Sequence, residues 1–163
     1  AWARGQAWGL YGYTMMFRET GDSSYLHHAK GIARFIMSHP NMPKDKVPYW
    51  DFNAPDIPHA KRDASAAAIM ASAFIELSTL TKEDPDFSKQ CLNMAEMQLR
   101  SLTSAEYLAK KGTNGGFILM HSVGNLPKGT EVDVPLTYAD YYYVEALVRY
   151  KKMVLGTLKG KKN

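Results

Sequence analysis

Two stretches of this sequence, Arg4–Glu19 and Ala64–Leu77, carry helix-compatible residues yet show no continuous polar face. Trp8, Tyr11 and Met15 lie on one side of the first and Leu10, Tyr13 and Phe17 on another; the second is nearly all Ala, Ser, Ile and Met. A helix that is apolar on every side has to be covered on every side, so both are expected in an interior. Two further stretches pattern differently. Tyr25, Leu26, Ala29, Ile32, Ala33 and Ile36 form one stripe opposite Ser24, His27, Lys30 and Arg34, and Phe87, Cys91, Met94, Ala95 and Leu102 form another opposite Lys89, Asn93, Glu96 and Arg100. That spacing predicts amphipathic outer helices. A fifth helix is expected from Thr137 to about Val154, carrying Tyr138, Tyr141, Tyr142, Tyr143, Leu147 and Tyr150.

Helix boundaries follow from local chemistry. Gly21-Asp22 ends the first helix, Ser23 or Ser24 is the expected cap of the second, and Asp63 the cap of the third. Between them, Pro40, Pro43, Pro48, Pro55 and Pro58 exclude a helix, leaving an irregular segment from His39 to Arg62 around Tyr49-Trp50-Asp51-Phe52. Structureless segments of that length tend to carry function. A short helical piece is expected at 105–109, a turn at Gly112–Gly116, and a second loop reaching Pro135.

Tyr25, Ala29 and Ile32 recur as Phe87, Cys91 and Met94 at one constant offset, so the inner and outer helices repeat as pairs. Repeated helical hairpins stack or close into a ring, and the all-round apolar helices favour a closed all-α, α/α toroid over an open solenoid. Five helices do not close such a ring. The expectation is therefore a partial toroid over residues 1–155, whose preceding helices lie outside this chain, followed by a basic C-terminal tail at 156–163.

Length and charge narrow the classes. The 163 residues suffice for one domain. The net charge is +4, and Lys151, Lys152, Lys159, Lys161 and Lys162 supply five of the positive charges with no aromatic interleaved, so nucleic acid is not an expected partner. No apolar run of about 18 residues is present, so no membrane span is expected. The single Cys91 forms no internal disulfide and reads as a small core residue. Nothing in the sequence fixes the compartment.

Arg4 and Trp8 stand one turn apart on the first helix, where a guanidinium can hold a carboxylate and an indole can cover a sugar ring. Trp50 sits beside Asp51 in a loop with no helical reason to hold an indole, and the segment Ser122–Lys128 puts Ser122, Asn125 and Lys128 near the start of the last helix. Asp51, Asp56 and Asp63 could do acid/base work, but Asp56 lies in a Pro-Asp-Ile-Pro turn and Asp63 at a cap, which favours structural roles. His27, His28, His39, His59 and His121 lack metal-ligand spacing, and Gly112–Gly116 lacks phosphate-loop order, so no metal or cofactor is expected.

Taken together, Trp-Ala-Arg-Gly-Gln-Ala-Trp-Gly at Trp2–Gly9, Pro-Tyr-Trp-Asp-Phe at Pro48–Phe52, Arg-Asp-Ala-Ser-Ala-Ala-Ala at Arg62–Ala68, His-Ser-Val-Gly-Asn at His121–Asn125 and Asp-Val-Pro-Leu-Thr-Tyr-Ala-Asp-Tyr-Tyr at Asp133–Tyr142 resemble glycoside hydrolase family 88. This is the family of unsaturated glucuronyl hydrolases. The resemblance implies the C-terminal half of an (α/α)6 barrel and a substrate, an oligosaccharide ending in a 4,5-unsaturated uronic acid. It further implies vinyl-ether hydration by an aspartate acid/base. The family's two active-site aspartates precede the first of these motifs, so they are expected upstream of Ala1 and the chain is expected to be catalytically incomplete alone. By the same resemblance Arg4, Trp8 and the Ser122–Lys128 loop contact sugar, with Trp50 and Arg62 at the rim. Asn125 stands where some members carry a second serine, which bears on sulfate preference. The partner is then the missing half of the barrel or a second copy. Two rival readings remain, an unsaturated rhamnogalacturonyl hydrolase and a non-catalytic helical-repeat binding module.

Overall fold

A computed structural model of the chain describes residues 1–156; the basic tail expected at 156–163 lies, beyond Gly156, outside the described residues. Five α-helices account for most of it: α1 (Ala3–Thr20), α2 (Ser23–Ser38), α3 (Ala64–Leu80), α4 (Pro85–Leu102) and α5 (Thr137–Arg149).

Helix α3 is the centre. Every residue from Ala64 to Ser78 is buried, because α1 and α5 flank it on either side and α4 covers it from outside. Its small side chains let these neighbours approach closely. The two helix starts Arg4 and Ser65 meet, as do the helix ends Arg18 and Glu76, so α1 and α3 run parallel. Arg4 beside Tyr138 and Arg149 beside Glu76 make α5 parallel to them. The outer helices run the other way: Gly9 and Tyr13 of α1 meet Ile32 and Tyr25 of α2, and Ser78 and Met70 of α3 meet Ser88 and Gln98 of α4. Three parallel inner helices, the first two each returned by an antiparallel outer one, form an arc of the expected α/α toroid. The row of inner helices is bent, since Trp8 and Tyr11 of α1 reach Tyr142 of α5 across the concave side, with ring centroids 5.1 Å apart in both pairs.

Helix ends follow their chemistry with one change from expectation. Asp22, not Ser23 or Ser24, caps α2: its carboxylate accepts the Ser24 amide at 2.8 Å. Gly21, at φ 71°, closes α1 in the left-handed conformation that costs glycine least. Asp63 caps α3 as expected and Asp84 caps α4. Cys91 is fully buried in α4, and burial pushes its thiol up to about 12.

Other expectations fail for identifiable reasons. The expected helical piece at 105–109 is a turn, closed by Ser104 carbonyl bonds and a bridge between Leu108 and Leu119. The expected loop before Pro135 is a hairpin, β1 (Ser122–Asn125) antiparallel to β2 (Thr130–Val134). Helix α5 ends at Arg149 and continues to Leu155 as a wider π-type turn. Only one stripe of α1 (Ala3, Arg4, Ala7, Leu10, Thr14) is buried, so the helix is interior on one flank alone. Correspondingly, α5 shows Tyr141, Val144, Leu147 and Val148 to solvent, each at least 41% exposed. No described helix is long and apolar enough to cross a membrane.

The packing of α3 yields a first prediction. Ala71 is fully buried, so Ala71→Leu should force its neighbours apart and cost about 1–3 kcal/mol, read as a lowered urea midpoint at unchanged slope.

Candidate functional site

The parallel arrangement gathers the starts of α1, α3 and α5 at one end, where the segment 39–62 and the hairpin also arrive. A groove of about 370 Å³ opens there between Trp2, Arg4, Trp50 and the strand-and-turn residues Val123–Pro127.

Each wall has a local cause. Trp50 is held by its backbone: its carbonyl accepts the Ala3 amide at 3.0 Å and its amide donates to the Lys61 carbonyl at 2.9 Å, which fixes the loop against the start of α1. The rest of the segment is tied down by Arg62, which ion-pairs with Asp45 and donates to the Val47 carbonyl at 2.9 Å, while Tyr107 and Ser101 bond Asp45 from the other side. The opposite wall is β1 and the short 3-10 turn Leu126–Lys128. Asn125 caps that turn by accepting the Lys128 amide at 3.3 Å. Gly124 is required there, because a Cβ at this position would overlap the carboxylate of Glu131 on β2.

At the base lies Arg4, only 5% exposed. Its Nη1 pairs with Asp63 Oδ2 at 3.1 Å and donates to the Val123 carbonyl, and its Nη2 donates to the Gly124 carbonyl at 2.6 Å. Trp2 and Tyr138 rings lie 5.1 and 5.3 Å from the guanidinium carbon. Asp63 is buried to 1% exposure, and burial pushes its carboxyl up; Ser65, Arg4 and the amides of Val123 and Ala66 pull it the other way. Burial likewise raises the Tyr138 hydroxyl. On the outer side of the hairpin, Asp133 accepts from His121 Nδ1 at 2.6 Å and from Lys61 at 2.9 Å, and the His121 contact holds its carboxyl below the usual carboxylate range.

Of the residues singled out from sequence, the structure brings Arg4, Trp50 and Asn125 into one groove. Trp8 lies deeper in the concave side against Tyr138 and Tyr142, and does not line it. Arg62 is spent on Asp45 and on the Tyr49 ring. Ser122 is fully buried, with no partner for its hydroxyl among the described residues, and Lys128 is exposed beyond the rim. Arg4 is also less free than expected: a guanidinium with three of its five N–H groups committed is not an open carboxylate clamp. Sequence reasoning missed Trp2, which is 47% exposed, and the carbonyl wall at Val123 and Gly124. Trp2 was visible two residues before Arg4; the wall was not, since backbone groups leave no mark on residue type. Asp56 sits in a turn whose carbonyl accepts the His59 amide at 2.7 Å, as its flanking prolines indicated. Among the described residues no group of three or more His, Cys, Asp or Glu is placed to hold a metal ion.

Two predictions follow from the hairpin. Gly124→Ala should disorder it, seen as loss of amide protection in β1 and β2, and Glu131→Gly, which removes the Cβ as well as the carboxylate and accepts the φ of 54° there, should restore protection in the double variant. Asp133, whose folded carboxyl is depressed, stabilises the hairpin above the ordinary carboxylate value and ceases to do so as pH falls through its lower folded value. The difference in melting temperature between the protein and Asp133→Asn, present at pH 5, should therefore shrink as pH falls below the ordinary carboxylate value of about 4. Asn suits the test because it tolerates the φ of 58° at this position.

No family model matches the chain. Over 154 residues it is 52% identical to the unsaturated glucuronyl hydrolase of Formosa agariphila, covering 94% of this chain and 37% of that protein. It is 38% identical to the unsaturated chondroitin disaccharide hydrolase of Streptococcus pyogenes serotype M1, covering 93% and 37%. Among solved structures, an unsaturated glucuronyl hydrolase specific for heparin superposes with a TM-score of 0.89 at 54% identity, covering 93% of this chain and 40% of the other. The chain thus spans about two fifths of the length of its curated homologues, and those homologues are unsaturated glucuronyl hydrolases, glycoside hydrolase family 88.

Proposed function

We propose that the groove is the sugar-holding part of an enzyme that removes a terminal 4,5-unsaturated uronic acid from lyase-generated oligosaccharides. The observation that carries this is the convergence of two indoles, a held guanidinium and a carbonyl wall at the starts of the inner helices. Aromatic faces cover the C–H face of a sugar ring, and the wall together with the remaining Arg4 donors meets hydroxyl and carboxylate edges. The relatives' names supply the substrate class.

The reaction is hydration. A carboxylic acid protonates C4 of the C4=C5 vinyl ether, water adds at C5, and the hemiketal opens to release the remaining sugar; the carboxylate accepts the water's proton and is restored. None of the groove's lining residues carries a carboxylate, and Asp63, beside it, is sealed behind Arg4 and Ser65. The acid therefore comes from outside these residues, and this chain alone is inactive. The exposed apolar flank of α5 agrees, because a contiguous apolar strip of this kind is ordinarily covered. Further helices of the ring, or a second copy, would cover it.

The test is the ultraviolet absorbance of an unsaturated disaccharide made by a glycosaminoglycan lyase. The intact protein should abolish it and the 163-residue chain should leave it unchanged; persistence with the intact protein, or loss with the chain alone, overturns the corresponding half of the proposal. In the intact protein, Trp50→Ala should raise KM by up to about tenfold, as loss of one stacking face implies. Arg4→Ala should instead lower stability, by about 3–5 kcal/mol, because it strands a buried carboxylate.

A further inference from the structure

A helix cap needs an acceptor for one or two amides. Asp63 does considerably more. Its Oδ1 takes the Ser65 amide at 3.0 Å, the Ala66 amide at 3.4 Å, the Ser65 hydroxyl at 2.5 Å and the Val123 amide at 3.4 Å, and its Oδ2 takes Arg4 Nη1 at 3.1 Å. One carboxylate thus touches α1, α3 and β1, and only the first two contacts serve the cap. The surplus contacts share a direction. The Val123 residue is gripped at both backbone groups, its amide by Asp63 and its carbonyl by Arg4, while Arg4 also holds the next carbonyl along the strand.

A guanidinium fixed on two carbonyls and one carboxylate cannot rotate about its Cζ–Nη bonds, so the two N–H groups left over have one fixed direction at the base of the groove. Without the carboxylate, the guanidinium keeps its two carbonyls and the Trp2 and Tyr138 faces but loses the ion pair that offsets its burial, so its swing toward solvent is favoured and its clamp on the carbonyl wall loosens.

We propose that Asp63 is the positioning residue of the groove: by ion-pairing Arg4 and bonding Val123 it fixes both the guanidinium donors and the strand wall that a uronic-acid sugar meets, without touching the sugar itself. The assignment rests on the reading of the groove as a sugar site.

The experiment compares the intact protein with Asp63→Asn, which keeps a cap acceptor and removes the charge, and with Asp63→Ser, which also caps but is too short to reach Arg4. In protein labelled with nitrogen-15 at arginine, the Arg4 Nη protons should give separate resonances, assigned by their loss in Arg4→Lys. In both Asp63 variants they should collapse to one averaged signal, while far-ultraviolet circular dichroism is retained. On the unsaturated disaccharide, KM should rise at least tenfold in both variants with kcat changed less than twofold. Unaltered Arg4 resonances together with an unaltered KM overturn the proposal. Failure of both variants to fold overturns it too, since capping and positioning would then be one inseparable structural role. Inactivity of the unsubstituted protein on the disaccharide would defeat the sugar reading alone; the resonances would still decide whether Asp63 positions Arg4.

Discussion

Everything at the functional end of this molecule depends on one buried ion pair. Arg4 and Asp63 lie 59 positions apart, on the first turn of α1 and at the cap of α3, and both are almost wholly removed from water. Burying two charges costs several kcal/mol apiece, which mutual attraction offsets only when the remaining hydrogen-bonding capacity is also met. Here it is met by the hairpin and by the first turn of α3. The pair is therefore poor value as a source of stability and effective as a source of geometry: a slipped hairpin or a helix displaced by one turn would leave two charges stranded. That penalty sets how α1, α3 and β1 must meet.

The opposite end of the same three helices uses a second network. Glu76, 2% exposed on the last turn of α3, receives Arg18 from α1 and Arg149 from α5, the latter at 2.6 Å; Arg149 also reaches Tyr11, whose hydroxyl bonds Glu145 at 3.0 Å. Between the two polar ends the concave side is filled by aromatic edges, Trp8 and Tyr11 against Tyr138 and Tyr142. Apolar contact is indifferent to small rotations and translations of a helix; hydrogen-bonded charges are not. With one such cluster at each end, α3 is located along its axis as well as around it, which its own alanines and serines could not accomplish.

How much of this was legible in sequence depends on what each feature is written in. Helix α3 was legible because its lack of a polar face is a property of side chains, and so were the outer stripes on α2 and α4, where burial follows the helical period. Asp63 was legible as a cap, since Asp before an alanine run is a local signal, but its pairing with Arg4 joins residues 59 apart and no local pattern records that. The hairpin escaped because its strands are only 4 and 5 residues long, and His121, Glu131 and Asp133 adopt positive φ, a conformation uncommon for any residue but glycine and only mildly favoured by His and Asp. Arg4 is expected from sequence to be a free clamp, and it lies at the base of the groove with most of its donors taken. Its charge is plain in the sequence, while the acceptors that occupy it are two backbone carbonyls, which every residue has.

That occupancy alters how the groove can discriminate. An unpaired guanidinium attracts any anion at long range, whether carboxylate, sulfate or phosphate. Paired with Asp63 it carries little net charge into the groove, and what remains is directional: two N–H groups whose orientation is set by the Val123 and Gly124 carbonyls. Such a base rewards a ligand whose oxygen arrives along one line and penalises one that only carries charge. The indoles on either side impose the matching restriction on shape, since a flat ring can lie against Trp50 while its edge reaches the base, and a compact anion cannot do both. On the proposed reading of the groove as a sugar site, recognition at this end of the toroid is accordingly a matter of the ring and its edge together, and the ion pair beneath is what makes the edge count.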